Sequence, residues 1–140
     1  MYLLGFPLLL VPFAIYNIIA FLWAGVSWSD VVTRVHLVSG GEWTMSAGEI
    51  LIAVSLVFLF GEIVKATRIG TRAVVDHALS LLLFLAMVVE FLLVPQAATA
   101  TFFLLIAISL VDVLAGFAVT LRTAQRDLSV DGFPTSSLTS

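Results

Sequence analysis

The segment TATFFLLIAISLVDVLAGFAVTL, residues 99–121, indicates the fold class, because Asp112 is the only ionisable side chain in an otherwise apolar run. A helix of this length crosses a hydrocarbon core about 30 Å thick. Three more apolar runs precede it in the chain. We therefore predict an all-α integral membrane protein. Its architecture is a four-helix bundle of antiparallel up-and-down hairpins, with spans at about residues 5–28, 47–68, 72–94 and 98–122.

The composition supports a membrane protein. Hydrophobic residues make up 61% of the chain, charged residues 11%, and the mean hydropathy is +1.19, whereas soluble domains average about 25% charged residues. Residues 1–126 are predicted to form the bundle, and the polar residues 127–140 a disordered cytoplasmic tail. We expect the chain to lie in the lipid bilayer and not to bind nucleic acid.

The basic residues predict an orientation. Most of them fall on one side of the predicted membrane, namely Lys65, Arg68, Arg72, Arg122 and Arg126, and only Arg34 falls on the other. Basic residues concentrate on the cytoplasmic side of membrane proteins. The pattern therefore predicts that both termini are cytoplasmic and that the 29–46 loop is outside.

Capping and breaking residues predict where the helices begin and end. Ser46 followed by Glu49 is a capping-box pattern, so a helix is expected to begin at Ala47. Pro95 is expected to stop the third helix. Pro7 and Pro12 each remove an intrahelical hydrogen bond, so the first helix is predicted to be kinked or to begin only after the neighbourhood of Pro12.

The 29–46 loop has room for a short ordered element. Four valines, at positions 31, 32, 35 and 38, are compatible with an apolar helix stripe, whereas Arg34 to Leu37 alternate as in a strand. Trp28 and Trp43 flank the segment, as aromatic residues do at membrane boundaries. We predict a short element on the membrane surface and leave its helix or strand type open.

Asp112 is the main candidate for a functional residue. It lies ten residues before Arg122, about 15 Å along a helix, which places it near the bilayer midplane. An aspartate there costs about 2.5 to 3.5 kcal/mol on insertion scales, so it is expected to be protonated, hydrogen-bonded, or next to a cation or water. Ser109, Asp112, Gly116 and Thr120 form one small, polar stripe, which is expected to face the bundle interior.

Further polar residues extend this pattern to the other spans. We predict an intramembrane polar cluster of Glu62, Lys65, Asp76, His77, Ser109 and Asp112. Helix-packing roles are assigned to Asn17, Ser80, Gly116 and Thr120. The structural alternatives are an ion pair between Glu62 and Lys65, a helix-start acid at Asp76 and an interface residue at His77.

The sequence contains no signature of an enzyme. It lacks a glycine-rich phosphate loop, an HExxH motif and a Gly-x-Ser-x-Gly motif, and it has no cysteines. The acids and His77 come from three predicted helices without a diagnostic metal-ligand spacing. We therefore predict no catalytic residues, no metal site and no cofactor.

Several short segments resemble a family of small, uncharacterised four-helix inner-membrane proteins of alphaproteobacteria. They are GEWT (41–44), LFGEIVKATR (59–68), DHALS (76–80), EFLLV (90–94), ATATFFLL (98–105) and DVLAGF (112–117). The resemblance covers about residues 40–127. It implies a bacterial inner membrane and brings no activity, cofactor or catalytic residue.

Three functions fit these patterns. The first is a structural or accessory subunit that docks a larger membrane complex or self-associates, since little of the chain lies outside the membrane. The second is a small proton- or cation-coupled carrier or channel that uses Asp112. The third is a lipid-binding membrane protein, in which basic residues meet anionic head groups.

Overall fold

The computed structural model describes residues 6–67 and 71–131, most of which are helical. The elements in chain order are α1 (Leu10–Leu22), β1 (Val31–His36), β2 (Glu42–Ser46), α2 (Ala47–Ala66), α3 (Thr71–Leu93), a 3-10 turn (Pro95–Ala97) and α4 (Ala100–Asp131). Helices α2, α3 and α4 are each long and apolar enough to cross a membrane, and α1 is a shorter apolar helix. The chain therefore has the helices of a membrane protein.

The loop between α1 and α2 contains a β-hairpin, so the all-α prediction is wrong for this segment. Strands β1 and β2 pair antiparallel, with Val35 opposite Trp43 and His36 opposite Glu42. Gly40 closes the turn with a φ of +88°, a backbone conformation that glycine adopts without steric cost. The strand-like alternation at Arg34 to Leu37 was thus the informative pattern, and the valine spacing was not.

Helix α1 is shorter than the predicted 5–28 span. Its 13 residues cover about 20 Å at 1.5 Å per residue, less than the roughly 30 Å of a hydrocarbon core. The chain leaves the helix after Leu22 and makes a turn in which the Val26 amide bonds to the Trp23 carbonyl. The helix begins at Leu10 and includes Pro12, so the expected start after Pro12 is wrong; proline is tolerated there because the first-turn amides have no intrahelical partner. Residues 1–5 lie outside the described part.

The predicted helix signals at Ser46 and Pro95 are confirmed. The Ser46 side chain accepts from the Glu49 amide, and the Glu49 carboxylate accepts from the Ser46 amide. Helix α3 ends at Leu93, just before the 3-10 turn that Pro95 begins. Helix α4 continues to Asp131, so residues 127–131 are helical and not part of a disordered tail. The rest of that tail and the connection at 68–70 lie outside the described residues.

Helix α4 organises the packing. It packs along both α2 and α3, while α1 packs against α2 and the 3-10 turn. Buried apolar side chains from all four helices form one core cluster, in which Phe102 is fully buried. Phe13, Tyr16 and Phe91 have ring centroids within 4.9–6.2 Å of the Phe102 ring. This aromatic core lies toward the hairpin end of the helices. The polar residues of α2, α3 and α4 lie together nearer the opposite end.

Candidate functional site

Seven polar residues from α2, α3 and α4 line one small cavity, and we call six of them the carboxylate cluster. They are Glu62, Lys65, Asp76, His77, Ser80 and Asp112. The cavity measures about 30 Å³, and about 10–15 Å³ is needed to hold one water molecule. The structure thus gathers most of the predicted polar residues around a space that fits one or two waters.

Glu62 and Lys65 form the predicted ion pair and also hold the segment before α1. Their side chains are 4% and 11% exposed, with Lys65 Nζ 3.4 Å from Glu62 Oε1. Lys65 Nζ donates to the Phe6 carbonyl at 2.7 Å, and the Leu8 amide donates to the Glu62 carboxylate. Two side chains of α2 therefore fix two backbone groups of a different segment.

Asp112 is buried and faces α3. Its residue surface is 5% exposed, and its carboxylate lies within hydrogen-bonding reach of Ser80, with Glu62 and Lys65 close enough to act on it electrostatically. The Asp76 Oδ1 atom is also buried, and no hydrogen-bond donor among the described residues reaches it. The cluster thus combines three carboxylates with one lysine around a space that is large enough for trapped water.

The predicted stripe on α4 extends beyond the cavity. Gly116 and Thr120 line it, whereas Ser109 is buried one turn away and does not. The His77 ring lies so close to Gly116 that a Cβ there would be 2.6 Å from His77 Nδ1. His77 also stacks on Phe117, with ring centroids 6.4 Å apart. His77 is therefore a packing residue at the contact between α3 and α4.

Asn17 belongs to a different site from the carboxylate cluster. It lies in a cleft of about 560 Å³, the α1–α3 cleft, which is lined by Asn17, Phe21, Leu85, Ala86, Val89, Glu90, Leu93 and Val94. Asn17 Nδ2 is 3.4 Å from Glu90 Oε2. Glu90 Oε1 is buried and has no hydrogen-bond donor among the described residues. The α1–α3 cleft therefore brings Asn17 of α1 beside the Glu90 carboxylate of α3.

Tyr16 was missed by the sequence reasoning. It is fully buried, stacks on Trp28 with ring centroids 4.6 Å apart, and donates to the Gln96 carbonyl at 2.8 Å. A tyrosine in an otherwise apolar run is the signal that points to such a contact, because its hydroxyl needs a partner when buried. Tyr16 fixes α1 to the start of α4.

These sites have no counterpart in the comparisons with known proteins. No family model, curated protein or solved structure matches the chain. Groups of three or more acidic, histidine or cysteine side chains arranged to hold a metal ion are not found in residues 6–67 and 71–131. A functional assignment therefore rests on the geometry of the sites.

Proposed function

We propose that this chain is an accessory subunit of a membrane assembly and that a transmembrane helix of a larger partner packs into the α1–α3 cleft. The observation that carries the proposal is the Glu90 carboxylate in the lining of that cleft. Its Oε1 atom has no donor among the described residues. In hydrocarbon an unsatisfied polar atom costs several kcal/mol.

The walls of the α1–α3 cleft suit a partner helix. Phe21, Val89 and Leu93 are 51%, 53% and 76% exposed, and α1 does not pack closely along α3. Helix α3 is also the least buried of the three long helices, at 17% of its most apolar window. A helix carrying a hydrogen-bond donor would cover these apolar walls and pair with Glu90, as polar residues do between membrane helices.

Site-specific photo-crosslinking in native membranes tests the proposal. A photoreactive phenylalanine analogue at Val89 is expected to capture one larger membrane protein, identified by mass spectrometry. The same analogue at Val57, which is 71% exposed on α2, serves as the matched control and should capture lipid or nothing. Glu90→Leu should reduce copurification of the captured protein, because the donor of the partner would then be left unpaired.

The other outcomes are equally informative. Adducts between two copies of this chain at position 89 would make the assembly a homo-oligomer and overturn the larger partner. Equal capture at positions 89 and 57 would show that the α1–α3 cleft is not the site that binds the partner.

We further propose an up-and-down bundle in a bacterial inner membrane with both termini in the cytoplasm. The hairpin carries Arg34, whereas Lys65, Arg122 and Arg126 lie toward the ends of α2 and α4. Because the chain has no cysteines, single cysteines report the orientation directly. Val38→Cys should react with an impermeant maleimide on intact spheroplasts, and Gln125→Cys only after lysis. The reverse pattern would contradict the orientation.

A second candidate function, a proton-coupled carrier, is favoured by one observation. Three carboxylates share the cavity of the carboxylate cluster with a single lysine, and intramembrane acids of this kind serve as proton relays in transporters. Buried Leu105 and Ile108 lie on the hairpin side of Asp112, which counts against an open channel. In proteoliposomes, a proton flux that Asp112→Asn abolishes and Ser109→Ala preserves would favour this function over the first.

A further inference from the structure

A groove lies at the hairpin side of the molecule, separate from the carboxylate cluster and the α1–α3 cleft. It measures about 760 Å³, within the range of about 300–1,000 Å³ that is usual for ligand sites. The last turn of α1 with the segment after it forms one wall, and α2 and α4 form the others. We call it the hairpin-side groove.

The lining of the hairpin-side groove changes from polar to apolar along its length. Ser29, Ser46 and Glu49 lie at its outer end, where the hairpin joins α2. Ile52 and Leu56 follow on successive turns of α2, and Leu104 faces them from α4. Leu56 and Leu104 are 51% and 45% exposed, so the apolar part opens sideways between two membrane-spanning helices. This polarity matches an amphiphile whose tail enters from the bilayer.

The length of the groove suits an acyl chain that enters from the bilayer. From Gly48 to Leu56 the groove follows α2 for eight residues, about 12 Å at 1.5 Å per residue. It begins at the hairpin end of α2 and ends near the middle of the span, so a flexible chain fits along it.

The charge of the lining restricts the head group. Glu49 is the ionisable residue that lines the groove, and no lysine or arginine is among the described lining residues. Anionic lipid head groups are held by clusters of basic residues. The lining therefore disfavours an anionic head and is compatible with a neutral or zwitterionic one.

We infer that the hairpin-side groove binds one acyl chain of a membrane phospholipid with a zwitterionic head group, held at the polar end near Ser46 and Glu49. This inference does not depend on the proposed partner at the α1–α3 cleft, because the two sites share no lining residue. The bound lipid would complete the surface between α1, α2 and α4 that the short α1 leaves open.

The test measures lipid retention by the full chain. The protein is reconstituted in nanodiscs with equal amounts of phosphatidylcholine and phosphatidylglycerol, extracted into mild detergent, and examined by native mass spectrometry. Ala53→Phe with Ala100→Phe fills the groove from two exposed positions in its walls. Ala118→Phe, at an exposed α4 position that is not in the lining, is the matched control.

We expect the parent chain and Ala118→Phe to retain one phosphatidylcholine per chain. The groove-filling variant should retain it about tenfold less, since the rings displace several carbon atoms of the tail. Equal retention by the groove-filling variant overturns the inference, and so does preferential retention of phosphatidylglycerol by the parent chain. If the groove-filling variant does not fold, the head-group preference and stoichiometry of the parent chain still decide the question.

Discussion

At the scale of single residues, Gly116 allows α3 and α4 to approach at His77. A Cβ at position 116 would lie 2.6 Å from His77 Nδ1 and 3.2 Å from its Cε1, so the imidazole or the helix must shift. Overpacking of this kind costs about 1–3 kcal/mol. Gly116→Ala is therefore expected to lower the thermal unfolding temperature in detergent.

A second substitution identifies the cause of that effect. His77→Ala removes the ring that the new methyl group would meet, so the Gly116→Ala and His77→Ala double variant should lose less stability than the sum of the two single variants. An additive loss would mean that Gly116 serves helix flexibility and not the contact with His77.

Tyr16 provides a second prediction at residue scale. Its hydroxyl donates to the Gln96 carbonyl at 2.8 Å and lies 2.7 Å from Thr99 Oγ1. Tyr16→Phe keeps the stacking on Trp28 and removes these bonds, so a loss of about 0.5–1.5 kcal/mol is expected. Tyr16→Ala also removes the ring and should cost about 3–5 kcal/mol. Equal losses in denaturant titrations of the two variants would show that the ring contributes nothing beyond the hydroxyl.

At the scale of elements, the hairpin presents two different faces. Val35 and Trp43 are paired across the strands and are 41% and 48% exposed, on the same face as Met45. Arg34 and Glu42 lie on the other face with their charged atoms 4.0 Å apart. Because β2 passes directly into α2 at Ala47, the height of the hairpin relative to the membrane is fixed. The apolar face is therefore predicted to rest on the membrane surface.

Tryptophan fluorescence measures the depth of this face. In the Trp23→Phe and Trp28→Phe double variant, Trp43 is the remaining tryptophan, and lipids brominated near the head group should quench it more strongly than aqueous iodide. Val35→Asp places a charge beside Trp43 and should reverse that order, since a charge resists transfer into the interface. Iodide quenching of the parent comparable to that of free tryptophan would contradict the prediction.

The elements differ in how far the sequence predicts them, for physical reasons. Long apolar runs and the capping residues Ser46 and Glu49 act locally, so α2, α3 and α4 were foreseen. The end of α1 depends on Trp28 folding back to stack on Tyr16, a tertiary contact that the continuous apolar run hides. The hairpin was ambiguous because both its faces are largely exposed, and burial therefore imposes no clear alternation on its sequence.

The polar sites were predictable only in part, because they depend on contacts between helices. The spacing of Asp112 and Gly116 on α4 indicates a shared face, and the cavity of the carboxylate cluster agrees with that. Helix spacing does not state which neighbour a face meets. Asn17 was assigned a helix-packing role without a partner, and the structure places it beside Glu90 of α3 in the α1–α3 cleft.

At the scale of the whole molecule, Glu62 and Lys65 join the segment before α1 to α2. The pair binds the Phe6 carbonyl and the Leu8 amide, so the short α1 is held at its beginning by charges and at Tyr16 by packing. Removing one partner of a buried ion pair costs about 3–5 kcal/mol, because the other charge is left uncompensated, while replacing both with apolar groups is often neutral. Glu62→Leu alone is therefore expected to destabilise the protein more than Glu62→Leu combined with Lys65→Met.

Hydrogen exchange locates that loss within the molecule. In Glu62→Leu, faster exchange is expected at the amides of residues 8–11 and 13, whose segment is released, while the amides around Ser55 in α2 should stay protected because Ser55 is fully buried. Adding Lys65→Met to Glu62→Leu should recover stability. It should not recover the exchange protection of the Leu8 amide, which still lacks its carboxylate acceptor. Uniform acceleration across all four helices would instead mean that the ion pair supports the whole fold and does not act as a local anchor for α1.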